Sequence, residues 1–154
     1  WIDYAKLKMP VFGMLNQKGS IAQFSRTFSS LYASSVPVLQ SLSIVTEVAG
    51  NRVIEKYLNE ASESLRKGQP LSEPLKKAWV FPPMVTQMIA IGEETGALDQ
   101  MLAKVADFYE REVENTVDRL KSLIEPLLII FLAGIVGVIV AAIMLPMFSL
   151  YNSL

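Results

Sequence analysis

The densest group of side chains that could do chemistry lies between Gly92 and Asp99. Glu93, Glu94 and Asp99 offer hard oxygen ligands, which divalent cations prefer, so one hypothesis is a metal site. A second interpretation is structural, since the glycines permit a tight helix–helix turn and Asp99 favours the dipole of the helix that follows. A third is that Glu93, Glu94 and Asp99 form an exposed surface that binds a partner protein. The residues alone leave all three open.

A second charged group follows at helical spacing. Glu110, Glu114 and Asp118 follow one another at intervals of four residues, and Arg111 lies three residues before Glu114, so all four fall on one side of a predicted helix. Such a side is commonly only solvated, and the alternative is that it binds a partner protein. We predict that these four residues are candidate partner-binding residues.

No group of residues indicates catalysis. The sequence contains no histidine and no cysteine, so the commonest general base and the thiolate ligand are both absent. Gly92 and Gly96 are not followed by the Lys-Ser/Thr of a phosphate-binding loop. The net charge of −1, without a long basic run, does not favour nucleic acid as a partner. We therefore predict a protein that is not an enzyme and has no cofactor, the candidate divalent cation excepted.

One uncharged stretch dominates the C-terminal part. The residues from Leu127 to Leu145, between Pro126 and Pro146, carry no charge, and every Lys, Arg, Asp and Glu lies at or before Glu125. As a helix this stretch would be roughly 28 Å long, close to the ~30 Å hydrocarbon core of a bilayer. A buried helix of a soluble protein is the alternative, but such apolar runs are usually shorter. We predict a transmembrane helix at 126–146.

The residues beside this helix predict its orientation and its packing. Arg111, Arg119 and Lys121 precede it and nothing basic follows, so the positive-inside rule places the preceding domain in the cytoplasm. Residues 147–154 then form a short extracytoplasmic tail. Small residues on one side of the helix would let another membrane helix pack closely against it. These residues are Gly134, Gly137 and Ala141.

The remaining residues show helical periodicity and no strand-like alternation. We predict an all-α fold, an antiparallel six-helix bundle that continues into one transmembrane helix. The expected helix starts are Ser20, Pro37, Asn51, Ser72, Pro82 and Leu98, with the fourth helix ending near Trp79. The predicted boundaries are a linker arm at 1–19, the bundle at 20–125, the transmembrane helix at 126–146 and the tail at 147–154.

Several spaced motifs resemble the general secretory pathway protein F family, the inner-membrane platform family of type II secretion and type IV pilus machines. The motifs that carry the resemblance are Leu7–Gly13, Phe24–Phe28, Val36–Leu42, Gly50-Asn51, Gly68, Phe81-Pro82-Pro83, Gly92–Leu98, Glu125-Pro126 and Pro146-Met147-Phe148. Ser35 departs from the glycine common there. The order of motifs is similar to the second of two cytoplasmic domains and the last of three membrane helices.

The resemblance implies a non-catalytic, multi-pass protein of the bacterial inner membrane. It would couple the cytoplasmic assembly ATPase to polymerisation of pilin or pseudopilin, and its other partners would be inner-membrane assembly proteins, the lipid bilayer and further copies in a homo-oligomer. A metal site has been associated with a cytoplasmic domain of this family, but its ligands do not map onto numbered residues here.

Two other classes of function stay open on the residues. A helical subunit of a multi-span transporter or channel is disfavoured because the transmembrane helix has no polar residue. A single-pass helical signalling protein is disfavoured because no clear heptads occur beyond the sixth helix.

Overall fold

In a computed structural model of the chain, which describes Ile2 and residues 12–153, all regular secondary structure is α-helical. Within residues 12–153 there are six helices: α1 (Phe12–Ala33), α2 (Val38–Val48), α3 (Arg52–Arg66), α4 (Ser72–Lys76), α5 (Pro83–Thr95) and α6 (Leu98–Asn152). The predicted all-α fold with a long apolar last helix is confirmed.

Local sequence signals set several helix ends as predicted. The Asn51 side chain caps α3 by accepting hydrogen bonds from the backbone N–H of Val53 at 2.9 Å and of Ile54 at 3.5 Å. Pro82 and Pro83 open α5, where the missing proline N–H leaves no helical hydrogen bond unmade. Gly96 ends α5 with a left-handed backbone of φ 71°.

The predicted start of the first helix at Ser20 is wrong. α1 already includes Phe12, so residues 12–19 are helical and do not form part of a linker arm. Gly13 and Gly19 suggested a break, but a glycine inside a helix costs only about 1 kcal/mol and packing against the core outweighs that cost. The rest of the predicted arm, residues 1 and 3–11, lies outside the described residues.

Two other helix ends differ from expectation. α4 stops at Lys76, three residues before Trp79, because the backbone turns there: Ala78 N–H donates to the Leu75 carbonyl at 3.1 Å. α6 continues past Pro146 to Asn152, so most of the expected tail is helical. A proline inside a helix removes one backbone hydrogen bond and can kink the helix, but the helix can continue beyond it. The domain boundaries themselves stay predictions.

The chain divides into two compact units, residues 1–114 and 115–154, with the division inside α6. We call them the body and the C-terminal unit. The body has one apolar core to which all six helices contribute, and its largest fully buried side chains are Ile21, Phe28, Leu42, Val45, Ile54, Leu58, Leu71, Leu75, Val80, Val85, Ile89 and Leu102. Each such side chain contributes roughly 1.5–3 kcal/mol to stability.

The C-terminal unit is a single helical segment in its described part. Its most apolar window has a mean hydropathy of 3.1, and none of that window is buried. The helix is long and apolar enough to cross a membrane.

A close backbone contact folds α5 back onto α6. A Cβ atom placed on Gly92 would lie 2.8 Å from the Leu98 Cα, closer than real Cβ atoms approach a backbone atom. Gly92 is therefore the residue that lets the first turn of α6 pack directly against the last turn of α5.

Gly92→Ala should destabilise the body by about 1–3 kcal/mol, because the added methyl group meets backbone that has no room to move. The matched control is Gly19→Ala, where a Cβ would meet nothing within 4 Å. That change should raise stability by about 0.5–1 kcal/mol through helix propensity. Urea unfolding of the detergent-solubilised protein, followed by tryptophan fluorescence, measures both. Equal effects of the two changes would contradict the close contact.

Candidate functional site

The carboxylate of Glu93 joins the α5–α6 turn to the start of α4. It accepts a hydrogen bond from the Leu71 backbone N–H at 2.7 Å and another from the Ser72 N–H at 3.4 Å. Both donors are at the N-terminal end of a helix, where backbone N–H groups have no partner within the helix. Glu93 is thus a structural residue that holds two elements together.

The other two acidic residues of the turn differ in exposure. Glu94 is exposed, and the partly buried Asp99 contributes its backbone carbonyl, which accepts a hydrogen bond from the Ser29 hydroxyl at 2.8 Å. Among Ile2 and residues 12–153, no group of three His, Cys, Asp or Glu side chains is placed to hold a metal ion. The divalent-cation hypothesis for Glu93, Glu94 and Asp99 gains no support from the geometry.

A cleft of about 500 Å³ lies beside the same turn in the body. Its walls come from the end of α1, the start of α2, the α3–α4 connection and the α5–α6 turn, and the lining includes Tyr32, Val38, Leu65, Pro70, Lys76 and Glu94. Sequence reasoning missed this cleft, because its lining residues come from four separate parts of the chain.

The acidic side of α6 is paired with cations from α1. Arg26 donates from Nε and Nη2 to the two carboxylate oxygens of Glu110, each at 3.0 Å, and also donates to Asp107. The Lys18 ammonium lies 3.0 Å from a carboxylate oxygen of Glu112. Hydrogen bonds from Arg26 to Glu110 and Asp107 raise the pKa of its guanidinium, which stays charged at every working pH.

Burial raises the pKa of Tyr109 on the same stretch of α6, and the nearby negative charge of Glu112 adds to that shift. Tyr109 is therefore a neutral core residue.

Apart from Asp99, the predicted partner-binding residues separate into three groups. Glu93 and Glu110 are held by contacts within the body. Arg111 and Glu114 are exposed charges that make no hydrogen bond or ion pair with any described residue, and the same is true of Glu94. Asp118 belongs to the C-terminal unit, where a carboxylate oxygen lies 3.8 Å from the Lys121 ammonium.

The predicted packing residues of the transmembrane helix are uncovered. A Cβ atom on Gly134 or Gly137 would meet nothing within 4 Å, and Ala141 is exposed. Contacts within the described residues therefore do not require a glycine at either position.

Glu93→Ala should lower the free energy of unfolding by about 1–3 kcal/mol, because the Leu71 N–H would lose its acceptor. The neighbouring Glu94→Ala removes a carboxylate without an internal partner and should change stability by no more than about 0.5 kcal/mol. Denaturant unfolding of the two variants side by side measures this. A Glu93→Ala variant as stable as Glu94→Ala would contradict the structural role.

Comparison with known proteins gives a consistent picture along nearly the whole chain. The family described as type II secretion system (T2SS), protein F matches residues 24–146. The chain is 52% identical over 99% of its length to a type IV pilus assembly protein PilC of Thermus thermophilus, and 41% identical over 99% to the protein of the same name in Myxococcus xanthus. It is 40% identical over 95% of its length to a type II secretion system protein F of Aeromonas hydrophila.

The chain spans 38%, 36% and 38% of the lengths of these three relatives, in that order. The matched residues 24–146 include most of the body and most of the C-terminal unit. The chain belongs to the type II secretion system protein F family.

Proposed function

We propose that this chain is one cytoplasmic domain and one membrane-spanning helix of a platform protein in a bacterial type IV pilus or type II secretion assembly machine. The observation that carries the proposal is the 52% identity, along 99% of the chain, to a protein named for type IV pilus assembly.

The expectation that the chain is not an enzyme is confirmed by its membership in this family. The proposed activity is mechanical and organisational: the platform couples a cytoplasmic assembly ATPase to the polymerisation of pilin or pseudopilin. Further proposed partners are other inner-membrane assembly proteins, additional copies of the platform and the lipid bilayer.

The proposed location is the bacterial inner membrane, with the parent protein crossing it several times. Residues 127–145 supply the crossing, since they are uncharged and belong to the helix with a mean hydropathy of 3.1. Arg111, Arg119 and Lys121 favour the cytoplasmic side for the body, and residues 147–154 then lie on the other side of the membrane. A transporter or channel function is less well supported because this segment has no ionisable residue.

We place ATPase docking on the exposed charges of the body at Glu94, Arg111 and Glu114. These side chains can pair with a partner without giving up an internal contact, whereas moving Glu93 or Glu110 would break hydrogen bonds that hold α4 or α1. Charged groups at the rim of an interface act mainly on encounter and orientation, and reversing them places like charges opposite each other, so the reversal should weaken binding.

Combining Glu94→Lys with Glu114→Lys in the full-length protein should reduce co-purification of the assembly ATPase from membranes by about tenfold, equivalent to about 1.4 kcal/mol. Glu47→Lys is the matched control, since Glu47 is an exposed glutamate on α2. An equal loss with Glu47→Lys would contradict the docking surface. No co-purification with the unaltered protein would contradict ATPase coupling altogether.

The proposed orientation has its own test, because the chain contains no cysteine. Asn152→Cys should react with a membrane-impermeant maleimide added to intact spheroplasts, and Asn59→Cys on α3 should react only after the membrane is permeabilised. The two residues are both exposed asparagines, which makes them matched reporters. The reverse labelling pattern would overturn the orientation.

A further inference from the structure

The cleft beside the α5–α6 turn carries an excess of negative charge. The described residues that line it include three glutamates, Glu73, Glu93 and Glu94, and one lysine, Lys76. The Lys76 ammonium lies 3.3 Å from a Glu73 carboxylate oxygen, so these two charges compensate each other. Neither Glu93 nor Glu94 forms an ion pair with a described residue, and the cleft therefore keeps two uncompensated carboxylates.

Glu93 has unused acceptor capacity inside this cleft. It is half-buried, and three of its neighbours in the lining are buried: Leu71, Ser72 and Leu98. One carboxylate oxygen accepts the Leu71 N–H and the other accepts the Ser72 N–H. An ionised carboxylate offers about four lone-pair sites, so Glu93 can accept further hydrogen bonds while keeping those it already makes.

The rest of the wall is apolar and aromatic. Tyr32, Val38 and Leu65 line the cleft and are half-buried, and both Tyr32 and Val38 pack against the core of the body. A tyrosine ring attracts a cation placed over its face, and apolar walls cover the methylene groups of a long charged side chain. The cleft thus combines an acceptor for a cation with a surface for an apolar stem.

We propose that this cleft binds an arginine side chain presented by a partner protein. Arginine joins a hydrocarbon stem to a planar fork of N–H donors, and that fork can donate to both oxygens of one carboxylate. Lysine offers only a compact, strongly hydrated ammonium. This binding role rests on the proposed function of the chain as a platform for assembly proteins, and it does not require that the partner be the ATPase.

The shape of the cleft favours a side chain of a protein over a free small molecule. Its volume of about 500 Å³ is sufficient for a ligand-sized group. Gln69, Pro70 and Gly96 in its lining are exposed, so the cleft opens to solvent. Small-molecule pockets usually enclose most of the ligand surface. An open cleft instead leaves room for the main chain from which an arginine extends.

A peptide with an uncharged fluorophore, Ala-Arg-Ala-amide, tests the charge requirement. It should bind the detergent-solubilised full-length protein at low ionic strength, as measured by fluorescence anisotropy. The matched peptide contains citrulline, which has nearly the same shape as arginine but no charge, and it should bind about tenfold more weakly. Equal binding of the two peptides, or no binding of the arginine peptide, overturns the proposal. This comparison changes nothing in the protein, so it does not depend on the folding of a variant.

Glu93→Gln locates the site on the protein. It should lower the affinity for the arginine peptide by about tenfold, because glutamine keeps an acceptor for the Leu71 N–H but carries no charge. Glu47→Gln is the matched control, since Glu47 is an exposed glutamate on α2 outside the cleft lining, and it should leave the affinity unchanged. Unchanged affinity in Glu93→Gln, or an equal loss in both variants, overturns the assignment.

Tyr32 supplies a second pair of variants. Tyr32→Leu should lower the affinity for the arginine peptide by about threefold, whereas Tyr32→Phe keeps the ring face and should leave it unchanged. Equal affinities of these two variants overturn the role of the ring.

The outcomes separate this inference from the proposed function. ATPase co-purification that persists while the arginine peptide fails to bind removes the arginine site and leaves the proposed function standing. Charge-dependent peptide binding without ATPase co-purification supports the arginine site and contradicts ATPase coupling.

Discussion

The approach of the Gly92 and Leu98 backbones is the contact on which the polar arrangement of the body depends. It folds α5 back against α6, and Gly96 completes the reversal with a left-handed backbone. The residue after Gly92 is then carried to the N-terminal end of α4, where its carboxylate meets two backbone N–H groups. The same reversal presents the Asp99 carbonyl to Ser29 on α1. The absence of a side chain at Gly92 therefore permits the contacts that join four helices: α1, α4, α5 and α6.

Polar and apolar contacts have different roles in the body. The ion pairs between α1 and α6 involve side chains that water still reaches, and such pairs contribute only about 0–1 kcal/mol each. The buried aliphatic and aromatic side chains supply most of the stability. The ion pairs instead join α1 to α6 at defined positions, because Arg26 donates hydrogen bonds to both Asp107 and Glu110.

Much of the fold follows from local signals, and the site does not. Asn51, Pro83 and Gly96 each mark a helix end through interactions with residues only a few positions away, so the sequence predicts those ends well. The start of α1 was missed because Gly13 and Gly19 suggest a break. Residues 12–19 instead form contacts with distant parts of the body: the Gln17 side chain donates to the Val80 carbonyl at 2.6 Å, and the Lys18 ammonium lies 3.0 Å from a Glu112 carboxylate oxygen. The capping role of Glu93 joins residues more than twenty positions apart, and the pairing of Arg26 with Glu110 joins residues 84 apart. Neither pairing has a signal in local spacing.

The two prolines inside α6 leave particular carbonyl groups without a helical donor. In a regular helix the N–H at position 126 would bond to the Ser122 carbonyl, and the N–H at position 146 to the Ala142 carbonyl. These vacancies flank the apolar segment, near the depths at which water and lipid head groups can solvate a carbonyl. Flexing the helix costs less at these two places than at its middle. The segment between them can therefore change its tilt to match bilayers of different thickness.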